Sequence, residues 1–363
     1  QLVDKERNAI DSEYRLKLQD DVRRSYQVHK ETVNPDHPFA KFSVGNWETL
    51  GDRPGSQIRD ELIAFYQTHY SAERMSLVLQ SNAPLDQQAA WAETFFSAIP
   101  NHGTAHPGLQ VPLYRPEDLG IRIEIKPIKE NRKLVVCFAL PSIEPLYPTK
   151  PMTFISHLLG YEGKGSLFAW LKQQGWVNTL SAGGGVGGSN FKDFCISFGL
   201  TPEGVHHEGS IIERLFGYLA LIRTQGVEAR RYEEKRQVLD ALFRFHEGGR
   251  AIDNVAHLAV NMHHYAPEHI LCGDYLMDGF DAAQIHAMLD LLTPSNMRIQ
   301  LAAPHVQTDR TARWYDTPYR IQPIDGVWLR RWRDPAPVDG LMTLPEANQI
   351  GRASCRERVF LPV

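Results

Sequence analysis

The chain has 363 residues, with 39 Lys and Arg against 43 Asp and Glu, a formal charge of −4 and 42% hydrophobic residues. That length suits about two domains with real cores. The near-neutral balance gives no basic footprint for nucleic acid and no polybasic patch for a membrane. No apolar run approaches the roughly 18–20 residues of a membrane helix.

Taken in chain order, residues 1–28 read as one long amphipathic helix. Within it Glu6 and Glu13 stand seven residues apart. Seven residues is close to two helical turns, so both carboxylates lie on one face. A solvated acidic face among Lys5, Arg7, Arg15 and Lys17 accounts for them on local grounds. Residues 31–50, with Pro35, Pro38 and Gly45, read as a loop. The segment 55–70 is a predicted helix with Ile58, Leu62, Phe65 and Tyr66 on one face. Arg74–Asn82 is a predicted strand, 84–99 a second helix, and 100–120 has the Pro and Gly density of a linker.

Residues 121–140 alternate like two strands around a polar turn at Lys129–Arg132. Helices are predicted from Pro151 to Gly160 and from Gly165 to Gly175. Residues 177–190 form a strand entering a Gly-rich turn, and the strand "FKDFCISFGL" returns from it. Helices follow at 209–223, 229–245 and 253–265. Ser71–Asn82 and Thr293–Pro304 echo one another, each a polar turn, a Met and an alternating strand, which suggests two related α+β units. The cysteines Cys137, Cys195, Cys272 and Cys355 are scattered without a CxxC pair, a pattern that favours buried free thiols over a disulfide framework or a zinc cluster.

Motif searches are mostly negative. Neither HExxH nor HxxEH occurs, nor GxSxG nor a P-loop. In "HYAPEH" the histidines His264 and His269 are five apart with Pro267 between them, a poor spacing for metal. His206–Glu208 reads as a solvated helix start. The glycines of "SAGGGVGG" lead into a strand and not a helix, so they make no phosphate cradle.

The opening stretch "QLVDKERNAIDSEY" resembles the distal-glutamate segment of the pitrilysin/insulin-degrading family of zinc metallopeptidases, the M16 inverzincins. "NPDHPFAKFSVGN", "FYQTHYSAERM", "HLLGYEGKGSLFAWLKQQGWVNTLSAGG" and "DRTARWYDTPY" resemble the same family in the same order. The resemblance implies that Glu13 is a zinc ligand and Glu6 its supporting carboxylate. The family's HxxEH histidines and general base have no counterpart in this sequence. It also implies an exosite that anchors the N-terminal end of a peptide, at His157, Gly160, Glu162, Leu180, Ala182 and Gly184. Read without the family, that stretch is a hairpin with a loose Gly turn and a helix start at Gly165–Ser166.

These readings combine into one expectation. The fold class is α+β, with two related domains, each an antiparallel sheet with helices on one face. The first domain, residues 1–112, is expected to be incomplete; the second spans 113–349. Residues 350–363, beginning "IGRASCRERV", resemble translated sequencing-adapter read-through. The chain reads as a fragment of a zinc-dependent endopeptidase for peptides and small unfolded proteins. As a fragment without HxxEH it is expected to be inactive and to bind no Zn2+ tightly. The alternative is a non-catalytic subunit of the same fold. Expected partners are peptide substrates and the missing parts of its own chain, with no nucleic acid and no membrane. Likeness to the bacterial branch suggests the periplasm.

Overall fold

The computed structural model describes residues 2–103, 108–338 and 340–347; the segment 350–363 read as adapter sequence lies outside them. The N-terminal helix is two helices. The first, α1, spans Leu2–Leu16 and the second, α2, spans Asp21–Glu31. Neither Gly nor Pro separates them. The break is made by Asp20, whose carboxylate accepts from the backbone N–H groups of Val22 and Arg23 at 2.9 and 3.2 Å. A carboxylate that satisfies the free donors of a new first turn caps that turn and ends the continuous ladder. Asp21 then accepts from Ile128 and Lys129 N–H at 2.8 and 3.0 Å, fixing the start of α2 to a loop of the second unit.

Helices α3 (Ile58–His69) and α4 (Leu85–Phe96) follow. Of the face predicted for α3, only Ile58 is buried; Leu62, Phe65 and Tyr66 are 50%, 55% and 58% exposed. The strand expected over Arg74–Asn82 is a short 3-10 turn at Ala72–Arg74 followed by residues that form no strand. An extended segment becomes a strand only when a neighbour satisfies its N–H and C=O groups. None does so here among the described residues, and the first unit's own sheet is not formed.

The second unit holds one mixed sheet. Its elements are β1 (Ile121–Ile125), β2 (Lys133–Leu140), α5 (Pro151–Leu159), α6 (Leu167–Gln173), β3 (Val177–Gly184), β4 (Gly187–Gly188) and β5 (Phe191–Leu200). Then come α7 (Glu208–Leu221), α8 (Ala229–Arg244), α9 (Ala251–His264), α10 (Ala282–Asp290), β6 (Met297–Ala302), β7 (Arg310–Ala312), β8 (Thr317–Pro323) and α11 (Gly326–Arg333). The strand order is β3-β5-β2-β6-β1-β8-β7, with β4 beside β5. Every pairing is antiparallel except β1 with β6, which is parallel. The two strands around the polar turn are therefore not a hairpin, because β6 lies between them. Their connection is longer than the 2–5 residues of a tight hairpin, and stepping across two strand spacings covers only about 10 Å.

Period-2 alternation sends Leu134, Val136 and Phe138 of β2, Phe194, Ile196 and Phe198 of β5, and Ile299 and Leu301 of β6 to one face. There they join the main core with Ile155 and Leu158 of α5 and Leu215 and Leu219 of α7. The opposite face was expected to be free of helices. It instead takes α2, whose Val28 packs with Ile123, Ile125, Ala312 and Tyr319. The same face carries a Cys137–Cys195 disulfide between paired residues of β2 and β5. This corrects the free-thiol expectation: pairing of the two strands brings together cysteines 58 residues apart, which spacing alone does not reveal. Cys272 is a free thiol.

Candidate functional site

β3 is the terminal strand of the sheet, so among the described residues only one of its sides meets another strand. Its sequence explains its shape. Val177 and Leu180 are buried in the main core, while Thr179 and Ser181 are exposed. The pairing with β5 shifts register twice, between Val177 and Thr179 and between Ala182 and Gly184. Gly183 occupies the second shift with φ +103°, and a Cβ there would lie 2.4 Å from Ser156 Oγ. Only glycine meets both conditions without strain. Ser156 uses that space to donate to the Ala182 carbonyl at 2.7 Å, tying the last turn of α5 to the strand.

This contact sets the end of α5, which carries His157, beside Ala182 of β3. His157, half-buried, is next to Ser156 on α5, and Gly160 caps that helix by donating to the Ser156 carbonyl at 2.8 Å. Glu162 follows, exposed. Across from them Ala182 is half-buried, and Gly184 is exposed with open space where a Cβ would be. Leu180 differs from the others: at 6% exposure it anchors the strand to the core and offers a ligand only its backbone.

Glu6 and Glu13 are on a different element. Both are exposed on α1, nearly opposite Asp11, which is buried and accepts from Trp47 N–H at 3.1 Å and from Arg15 at 2.5 Å. Tyr14 donates to the Trp314 carbonyl and holds α1 against the turn between β7 and β8. A protein zinc site takes about three or four N, O or S donors. Among the described residues no group of three or more His, Cys, Asp or Glu is arranged to hold a metal ion. The donors present therefore do not fit zinc as a set, and Glu13 would be one ligand of several.

A buried polar cluster between α2 and the sheet was not legible in advance. Asp193 of β5, 1% exposed, accepts from the Tyr114 hydroxyl at 2.9 and 3.0 Å. His29 of α2 places Nε2 3.3 Å from Asp193. Gln300 donates to His29 Nδ1 at 3.1 Å, so the neutral ring carries its proton on Nε2, toward the carboxylate. Arg298, 1% exposed, lies 4.8 Å from the Tyr114 ring centre and donates to Thr32. Burial pushes the His29 pKa below its ordinary value, with Asp193 opposing that shift and Arg298 and Lys30 adding to it. Burial, with Asp193 beside it, holds the Tyr114 phenol well above its ordinary value. The one sequence signal was an Asp inside the otherwise apolar run "FKDFCISFGL".

The family model described as the peptidase M16 inactive domain matches residues 57–239, and the one described as the middle or third domain of peptidase M16 matches residues 243–350. The sheet draws strands from both stretches. A-factor-processing enzyme of Saccharomyces cerevisiae is 33% identical over 96% of this chain and 34% of its own length. Human insulin-degrading enzyme is 34% identical over the same shares. Protease 3 of Escherichia coli K12 is 33% identical over 95% of this chain and 36% of its own. The chain thus spans about a third of the length of these curated relatives. The crystal structure of pitrilysin superposes with a TM-score of 0.89 at 33% identity, over 96% of this chain and 37% of that one. The periplasmic protease PqqL of Escherichia coli shares the fold, with a TM-score of 0.61 at 13% identity over 84% of this chain and 34% of that one.

Proposed function

The chain belongs to the M16 peptidase family, and from that premise we propose that it is part of a zinc-dependent endopeptidase acting on peptides and small unfolded proteins. In this reading Glu13 supplies one zinc ligand, Glu6 supports it, and the groups around β3 form an exosite for the N-terminal end of a substrate. Zinc, held also by residues outside this chain, would supply the activated water. This chain's own residues bind and orient. An extended peptide would add its backbone to the free side of β3, where glycines remove side chains from its path. The Glu162 carboxylate would attract the terminal ammonium. The observation that carries the reading is the edge position of β3, with its glycine end tied to α5 through Ser156 and Ala182.

The exposed apolar residues of α3 and α4, with Met75, Leu77 and Leu79 between them at 40%, 41% and 42% exposure, suit a face that further strands of the first domain would cover. The Cys137–Cys195 disulfide suits an oxidising compartment such as the periplasm. Among the described residues no helix is long and apolar enough to cross a membrane.

A second reading, a non-catalytic M16-fold subunit, is favoured by the matched domain's own description as inactive. Sequencing the gene upstream separates the two: an intact HxxEH supports the protease, and replaced histidines or glutamate would remove it. The exosite is tested by titrating the 363-residue chain with a short peptide and its N-acetylated twin, followed by NMR. Saturable binding, roughly micromolar or weaker and weaker still after acetylation, is expected. Indifference to acetylation would remove the assignment.

A further inference from the structure

The glycine turn at the end of β3 rests on the first unit as much as on its own sheet. Val186, within that turn, packs against the cluster of Val33, Leu113 and Phe191. The Asp193 N–H donates to the Val186 carbonyl at 2.8 Å. Gly185 has φ +114°, and a Cβ there would sit 2.7 Å from the Asp193 carbonyl oxygen. Lys192 donates to the Gly185 carbonyl at 3.1 Å. Asp193 therefore holds the turn with its backbone, while its buried carboxylate holds Tyr114 and His29. Asp193 thus links the candidate exosite to α2, and α2 follows α1 after the short turn at residues 17–20.

We infer that Asp193 is a positioning residue for the exosite: through Tyr114 and His29 it sets the glycine turn 183–188 relative to α2, and so sets where the N-terminal end of a peptide lies with respect to the helix that carries Glu13. The inference rests on the exosite reading above. A buried carboxylate keeps its place only while its donors are made. One donor from α2 of the first unit, and one from Tyr114 just ahead of β1, therefore hold a strand end of the second. Without them the turn keeps its glycines and the packing of Val186 but loses its polar tie to α2.

The test uses the full chain, a short C-terminally labelled peptide with a free amine, and its N-acetylated twin. Asp193→Asn removes the charge and keeps the shape. Tyr114→Phe removes only the donor hydroxyl, and it decides the matter alone if Asp193→Asn does not fold. Fluorescence anisotropy should show each variant weakening the free-amine peptide roughly tenfold, the loss expected for one hydrogen bond to a charged group, with the acetylated twin little changed. The double variant should be no worse than either single one, because both cut the same link. Amide exchange should rise together in the turn 183–188 and at the C-terminal end of α2. If the wild type binds and the folded variants bind both peptides as well as it does, the inference fails and the exosite stands. Equal weakening of both peptides means general loosening and also overturns it. If the wild type does not distinguish the two peptides, the exosite reading fails and takes this inference with it.

Discussion

His29 makes the stability of this chain depend on pH in a calculable direction. The ring is buried against Asp193, Tyr114, Gln300 and Arg298, and burial places its folded-state pKa below the ordinary value. In the unfolded chain a histidine titrates near 6.5. Above that pH both states are neutral and the contribution is intact. Below it the unfolded chain takes up a proton that the folded chain refuses, so acid favours unfolding. Each pH unit between about 6.5 and the folded-state value costs about 1.4 kcal/mol, and the loss levels off below the folded-state value. At pH 5.5 the loss attributable to His29 is thus at most about 1.4 kcal/mol. The assay is urea denaturation followed by circular dichroism at pH 7.5, 6.5 and 5.5, on the wild type and on His29→Gln. Glutamine can still bond Tyr114 but does not titrate. The variant should be less stable at pH 7.5, and the gap should narrow steadily as the pH falls below 6.5. Parallel profiles for the two proteins would refute the argument, as would a gap that widens in acid, which would mean that the Asp193 carboxylate outweighs burial.

Four further outcomes follow from the fold. Gly183→Ala forces a side chain into a left-handed position against Ser156 Oγ and should cost about 1–3 kcal/mol in the same denaturation assay, with weaker peptide pairing at β3. Replacing both Cys137 and Cys195 by Ser opens a loop closed across 58 residues and should cost about 4 kcal/mol on the loop-entropy relation; peptide mapping of the unreduced chain should recover the linked pair. Arg122, 20% exposed, forks onto Glu208 and reaches Glu124 at 2.8 Å, so Arg122→Met should lose about 3 kcal/mol. The exposed Arg53–Glu61 pair should be replaceable with no shift in the denaturation midpoint.

The second unit was the more legible half, for a physical reason. Segments such as Lys133–Leu140, Phe191–Leu200 and Glu208–Leu221 carry clear periodicities because each meets the partner that its apolar face was built for. In the first unit Leu62, Phe65 and Tyr66 gave an equally clear helical stripe, and the helix forms, but the stripe stays exposed because nothing among the described residues covers it. The echo between Ser71–Asn82 and Thr293–Pro304 makes the same point. Both open on a 3-10 turn, and only the second finds neighbours among the described residues and becomes a strand. The pairing of β1 with β6 and β8 could not be read from local pattern, since register is a property of distant segments. For the candidate site, the glycines and Glu162 were visible as residue types, whereas the Asp193, Tyr114 and His29 cluster assembles from three separate stretches, of which only that of Asp193 stands out.

The place of β1 also bears on how the chain comes to be folded. This strand is made early, yet both of its neighbours come from near the far end: Ile121 stands beside Arg298 on one side and Pro323 on the other. Closing so long a loop costs entropy before any contact returns it, and such topologies fold slowly. During synthesis β1 therefore waits, its apolar residues unsheltered and both its edges open, until nearly the whole second unit has left the ribosome. A chain stopped before residue 297 would hold β2, β3 and β5 but no seat for β1, and Val28 of α2 would meet no Ile123 or Ile125. The helices at the start of the chain can settle against β1 only once its partners β6 and β8 exist.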